Sequence, residues 1–155
     1  MKNSFLKIKG TLEKSELIID IFYVVLGFFL AYALYFGAGL ALHTENPVVT
    51  VVSNSMLPTL DRGDLLVLQG IENEEELVFG RENGTIVVYY QEGLKKLIVH
   101  RLYFKNPDNT YKTWGDNNPE PDPWSVKPEW LRGRVILRVP YIGYPRLLLG
   151  QYIGI

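Results

Sequence analysis

Residues 21–42 (IFYVVLGFFLAYALYFGAGLAL) run for about 22 positions without a charge, and a bilayer core takes about 20 residues of α-helix. A helix buried in a soluble protein keeps a polar stripe, whereas every face of this run is apolar or aromatic. A cleavable leader has an apolar core of only about 7 to 15 residues, so the length favours a retained anchor, although Ala31 and Ala33 form a small-x-small pair inside it. Residues 18–42 are therefore expected to cross a membrane. Lys2, Lys7, Lys9 and Lys14 crowd the N-terminal flank, while the segment just after Leu42 offers only His43 and Glu45. Basic flanks stay in the cytoplasm, so residues 1–17 are expected there and everything after the helix on the far side.

About 110 residues then remain beyond the membrane, enough for one modest core. Their hydrophobic period is two, with β-branched and aromatic runs at 47–52, 64–68, 85–91, 95–104 and 134–139 that read as strands. Between them stand turn signals: Asp61-Arg62-Gly63-Asp64, Glu82-Asn83-Gly84, Gln91-Glu92-Gly93, Asn106-Pro107-Asp108-Asn109 and the Pro-rich stretch 118–128. Only residues 72–79, acidic at their start, read as a short helix in this half. The expected class is mainly β, a sandwich or small barrel over residues 43–139, tethered by one helix. The tail, residues 140–155, is apolar but carries Pro145, Arg146 and three glycines. It is too short and too broken to span a bilayer, and could lie on its surface. Trp114, Trp124, Trp130, Tyr141 and Tyr144 fit an interfacial aromatic belt about as well as they fit a β core.

Composition narrows the chemistry. Lys and Arg number 16 against 17 Asp and Glu, a formal net charge of -1, which leaves no cationic excess for neutralising nucleic-acid phosphates. The absence of Cys removes thiolate nucleophiles and Cys zinc sites, and two His, His43 and His100, leave little for a transition metal. No metal or other cofactor is expected, so the candidates are hydroxyls, carboxylates, Lys and one imidazole. Ser55, in Ser53-Asn54-Ser55-Met56-Leu57-Pro58, follows a strand and reads as a nucleophile or as an ordinary turn or cap residue. His100 closes an apolar run and reads as a base or as a core histidine. The stretch from Gly115 to Asp122, with Asp116 between, reads as an Asx turn or as a carboxylate site.

In this order, Ser53 to Pro58, Arg62-Gly63-Asp64-Leu65, His100-Arg101 and Gly115-Asp116-Asn117-Asn118 with Asp122 resemble the blocks of type I signal peptidases, in their archaeal and endoplasmic-reticulum branch. The resemblance covers nearly the whole chain. It implies a β domain at the membrane surface and a serine endopeptidase that removes signal peptides from secreted preproteins after small residues. It further implies Ser55 as nucleophile, His100 as general base, Asp122 as the carboxylate orienting it and Asp116 as a second required acid. The partners it implies are secretory preproteins, the lipid bilayer and the secretion translocon, in the cell membrane or, in a eukaryote, that of the endoplasmic reticulum.

General chemistry agrees, since a Ser hydroxyl needs a base and an imidazole titrates near neutral pH. Relatives in the bacterial branch use Lys where His100 stands. Here Lys95 has the opposite strand parity, and Lys96 lies four residues along, about 13 Å at about 3.3 Å per residue. Neither can share the position of His100. Ser53, two residues before Ser55, can turn a hydroxyl toward an oxyanion beside the Ser55 backbone N–H, as its counterpart does in bacterial relatives. Asp64 reads as a turn and strand-start residue. Ser55 follows Leu42 by about 13 residues, at most about 45 Å of extended chain, which keeps the nucleophile near the lipid. Met56 and Leu57 are candidates for shallow substrate pockets. The chain departs from some relatives in having no full second membrane helix. The competing reading is a non-catalytic, membrane-tethered β module that binds nascent chains or membrane proteins.

Overall fold

The computed structural model of the protein describes residues 2–153, with side chains for residues 16–150. Met1, Gly154, Ile155 and the side chains of Lys2, Lys7, Lys9 and Lys14, on which the expected orientation rests, lie outside the described residues. The chain forms two units, divided between Ala38 and Gly39.

Helix α1 (Lys2–Ala41) is continuous, longer than the expected membrane segment at its N-terminal end. Its portion Glu16–Ala41 is long and apolar enough to cross a membrane, with a mean hydropathy of 2.4 and none of it buried. Large side chains such as Phe28 and Leu34 stand about three-quarters exposed, at 74% and 75%.

The second unit is built on one antiparallel sheet of six strands in the order β1-β2-β6-β3-β4-β5. The strands are β1 (Val48–Thr50), β2 (Leu65–Gln69), β3 (Ile86–Gln91), β4 (Lys96–Lys105), β5 (Tyr111–Trp114) and β6 (Leu131–Val139). The β class is as expected, but the sheet is open: β1 and β5 are its two edges and do not pair. β3 is central, and Val87, Val88 and Tyr89 are all fully buried. Consecutive side chains point to opposite faces, so burial of all three means that both faces of this strand are covered. One core gathers Val49, Val51, Met56, Leu60, Leu66, Leu68 and Val88. The other gathers Leu77, Val87, Tyr89, Leu102, Tyr111 and Val126, with Trp124 and Trp130 packed against it.

Five strands fall where the periodicity places them, shifted by a residue or two at most ends, and β6 begins three residues early. The sixth, β5, had no apolar run to announce it: Tyr111 and Thr113 are buried while Lys112 and Trp114 are half-buried. The short helix expected at 72–79 is a single 3-10 turn, Glu74–Glu76, capped by Asn73, whose side chain accepts from the Glu75 N–H. The tail contains helix α2 (Tyr144–Ile153), entered through Pro145 at its first turn. Tyr141, Ile142, Tyr144, Leu148 and Leu149 are exposed, whereas Trp124 and Trp130 belong to the core side of the aromatic alternatives.

Candidate active site

β1 leads into an extended pair of residues and then a tight loop. Val51 donates to the Asp64 carbonyl (2.9 Å) and accepts from the Gly63 N–H (2.9 Å), so the chain turns over immediately before β2. Gly63 sits at φ +94, and a Cβ there would fall 2.3 Å from the Tyr144 ring. Glycine is required in that turn on both grounds. Within the loop that this turn closes, the Leu60 N–H donates to the Met56 carbonyl (2.9 Å). Met56 and Leu60 are both buried, 1% and 2% exposed, and join one core cluster. They pin the loop into the first core and leave Ser55 at its rim, half-buried. Met56, expected with Leu57 beside the substrate, is part of the core, and Leu57 is half-buried.

The sheet register carries the imidazole to this loop. His100 lies opposite Val87 on β4 and is 6% exposed. Its Nε2 is 3.1 Å from Ser55 Oγ, and its Nδ1 is 2.6 Å from Asp122 Oδ2. Asp122 arrives on the segment that closes the free edge of β5, where its N–H donates to the Thr113 carbonyl (2.9 Å). Burial pushes the Asp122 carboxyl pKa up, but hydrogen bonds and charge from His100, with donors on Thr113 and Tyr89, more than reverse this and hold it below the ordinary carboxylate range. An ionised Asp122 can only accept, so His100 carries its proton on Nδ1 and turns the lone pair of Nε2 to the Ser55 hydroxyl. Ser53 Oγ is 3.2 Å from Ser55 Oγ.

Asp116 contacts neither Ser55 nor His100 in this arrangement. Arg101, the residue after His100 and therefore of opposite strand parity, holds it from the other side: Nε and Nη2 of Arg101 donate to the two Asp116 oxygens at 2.9 and 2.8 Å. Thr59 Oγ1 donates to the same carboxylate (2.5 Å), and Arg81 donates to its backbone carbonyl (2.9 Å). Burial again pushes the pKa up, and the Arg101 and Thr59 hydrogen bonds with the two Arg charges bring it below the usual range. Asp64, fully buried, lies 2.5 Å from Arg138 Nε, and Arg138 also donates to the Thr59 carbonyl (2.7 Å). Asp64 pairs with Arg138 and accepts from the Asp61 N–H (2.7 Å) in the turn before β2.

Four contributors have no role assigned from the sequence, Gly115 and Asn117 within a quoted block and Tyr89 and Thr113 outside one. The Asn117 N–H donates to the Ser55 carbonyl (2.8 Å) and Asn117 Nδ2 to the Asn54 carbonyl (3.1 Å), stapling the two loops together. Gly115 lets them close, since a Cβ there would lie 2.7 Å from the Ser55 carbonyl oxygen and 2.8 Å from His100 Nε2. Thr113 and Tyr89 donate to Asp122. The alternation of β5 puts Thr113 on the buried face with Tyr111. Lys95 and Lys96 are both solvent-exposed. Among the described residues, no three His, Cys, Asp or Glu side chains gather into a metal-binding group.

No protein-family model matches the chain. Among curated proteins, it is 32% identical over 132 residues to the signal peptidase complex catalytic subunit SEC11 of Pyricularia oryzae, a span of 79% of this chain and 74% of that relative. It is 34% identical over 132 residues to the protein of that name from Sclerotinia sclerotiorum, with the same shares covered. The Candida tropicalis protein is 33% identical over 120 residues, covering 70% of this chain and 69% of its own length.

Proposed function

The chain belongs to the family of signal peptidase complex catalytic subunits, and from that premise we propose that Ser55, His100 and Asp122 carry out its peptide-bond hydrolysis. It is a serine endopeptidase that removes signal peptides from secretory preproteins. The observation that carries the residue assignment is the unbroken line from Ser55 Oγ to His100 Nε2 (3.1 Å) and from His100 Nδ1 to Asp122 Oδ2 (2.6 Å). Ser55 attacks the scissile carbonyl as Nε2 takes its proton, and the imidazolium that forms is stabilised by the Asp122 charge. The proton then passes to the leaving amine, which departs with the mature protein, and water activated by the same imidazole hydrolyses the ester on Ser55. The Ser55 backbone N–H and the Ser53 hydroxyl donate to the oxyanion. Asp116 acts at one remove, by fixing Thr59 and so the loop on which Ser55 rides.

In this reading residues 1–17 stay in the cytoplasm, 18–42 cross the membrane, 43–139 form the catalytic domain beyond it, and 140–155 lie along the interface. The four flanking Lys support the orientation, and the exposed Tyr141, Ile142, Tyr144 and Leu148 support the placement of the tail. Bilayer and translocon are its neighbours, and a substrate anchored in the same membrane meets the site at a raised effective concentration. Cleavage after small residues follows if the shallow surface beside Leu57 receives the side chains before the scissile bond. Incubating the detergent-solubilised chain with a preprotein tests the assignment. Ser55→Ala is expected to abolish cleavage at an unchanged thermal midpoint, and undiminished cleavage by that variant overturns it.

A further inference from the structure

A single oxygen, Asp122 Oδ2, receives three groups: His100 Nδ1 at 2.6 Å, Thr113 Oγ1 at 2.6 Å and Tyr89 OH at 3.1 Å. The direction of these bonds is set from behind. Trp124 Nε1 lies 3.1 Å from the Tyr89 oxygen, and an indole N–H can only donate. The Tyr89 proton is therefore left for Asp122 directly or for Thr113 Oγ1 at 3.2 Å, whose own proton goes to the same carboxylate oxygen. Either way both hydroxyls feed Oδ2. All three residues are buried, with Tyr89 and Thr113 at 0% exposure and Asp122 at 4%, so water cannot substitute for a missing donor without entering the core.

We infer that Thr113 and Tyr89 are positioning residues that keep Asp122 a pure acceptor and thereby hold the proton of His100 on Nδ1. The inference rests on the Ser55–His100–Asp122 reading. A carboxyl that lost these donors would be free to take up a proton, keep it, and donate it in a hydrogen bond to an unprotonated Nδ1. His100 would then carry hydrogen on Nε2, facing Ser55, and could not accept the hydroxyl proton. The effect acts on turnover and not on substrate affinity, because neither Thr113 nor Tyr89 touches Ser55.

Thr113→Val removes the hydroxyl at constant volume, Thr113→Ser keeps the hydroxyl and loses the methyl, and Tyr89→Phe removes only an oxygen. The full chain in detergent is assayed for kcat and KM on a preprotein, and its imidazole nitrogens are observed by 15N NMR. Only two His contribute signals, and exposed His43, paired with Glu72, serves as the internal reference. Thr113→Val and Tyr89→Phe are each expected to lower kcat by about tenfold with KM nearly unchanged, and to shift the His100 nitrogens away from the Nδ1–H pattern. Thr113→Ser is expected to retain both rate and pattern. Equal impairment of the Val and Ser variants overturns the inference, as does a parental rate and spectrum in both Thr113→Val and Tyr89→Phe. Should Thr113→Val not fold, Tyr89→Phe decides; failure of both to fold also overturns it, since the bonds would then hold the fold and not the imidazole. An inactive Ser55→Ala beside fully active Thr113→Val and Tyr89→Phe removes this inference alone, whereas an active Ser55→Ala removes the reading beneath it.

Discussion

Replacing Asp116 by Asn separates two jobs that a sequence motif lumps together. The side chain keeps its size, but the Arg101 guanidinium loses the charge it grips with two nitrogens, at 2.9 and 2.8 Å. Both side chains are about one-tenth exposed, 11% for Arg101 and 10% for Asp116, so the orphaned cation is poorly hydrated. Removing one partner of a buried ion pair costs about 3–5 kcal/mol. Arg81, one-third exposed, no longer has a carboxylate to face, which relieves nothing for Arg101. A loss near the lower bound, about 3 kcal/mol, is expected, which for a domain of this size lowers the thermal midpoint by roughly 10 °C or more. Catalysis should suffer less. Ser55 remains held by the Asn117 N–H and by the burial of Met56, so kcat measured well below the midpoint should fall by less than about tenfold. Asp122→Asn is the opposite case: an amide can donate to Nδ1, fixing the wrong tautomer, and kcat should fall by about three to four orders of magnitude. Thermal unfolding and turnover on one preprotein, run for both variants, check the contrast. An Asp116→Asn protein with the parental midpoint and a rate as low as that of Asp122→Asn would refute the reasoning and put Asp116 among the reacting groups.

Ser53→Ala should keep the fold and lower kcat by about a hundredfold with little change in KM, if its hydroxyl donates to the oxyanion; an unchanged kcat removes Ser53 from that role. Gly115→Ala drives a methyl into the Ser55 carbonyl and His100 Nε2, at 2.7 and 2.8 Å. It should cost about 1–3 kcal/mol of stability and, by parting the two groups, about two orders of magnitude in rate; parental turnover would show that the loops have slack. The folded-state pKa values of Asp116 and Asp122 are both depressed, so their contribution to stability is complete above the unfolded value of about 3.9 and is lost as pH falls through the folded values. Thermal midpoints should hold from neutral pH to about 5 and drop below about 4, more shallowly in Asp122→Asn; a midpoint that rises on acidification contradicts the sign.

How much of this was legible depends on how far apart the partners lie along the chain. Strand positions came from local alternation, and they failed where alternation was too brief: β5 offers four residues, one of them Lys112, beside a stretch that reads as a turn. Losing β5 meant losing Thr113, because nothing else marks a lone Thr as buried beside a carboxylate. The order of Ser55, His100 and Asp122 was visible, but separations of 45 and 22 residues contain no distance. Register supplies it, by setting His100 against Val87 and closing the edge of β5 with the segment that carries Asp122.

The two acids show most clearly what parity adds. His100 and Arg101 are neighbours on β4, so their side chains leave opposite faces of the sheet, and each can take only the carboxylate that reaches its own side. Asp116 lies in the loop that follows β5 directly, where Arg101 and Thr59 meet it, whereas Asp122 has travelled back along the β5 edge as far as Thr113 and Tyr89. Pro119 and Pro121 lie between them and favour an extended path for that return. The six residues from Asp116 to Asp122 carry the chain from the partner of Arg101 to the partner of His100. With Asp122 on the His100 side, the imidazole has a carboxylate of its own at 2.6 Å, separate from the one Arg101 holds.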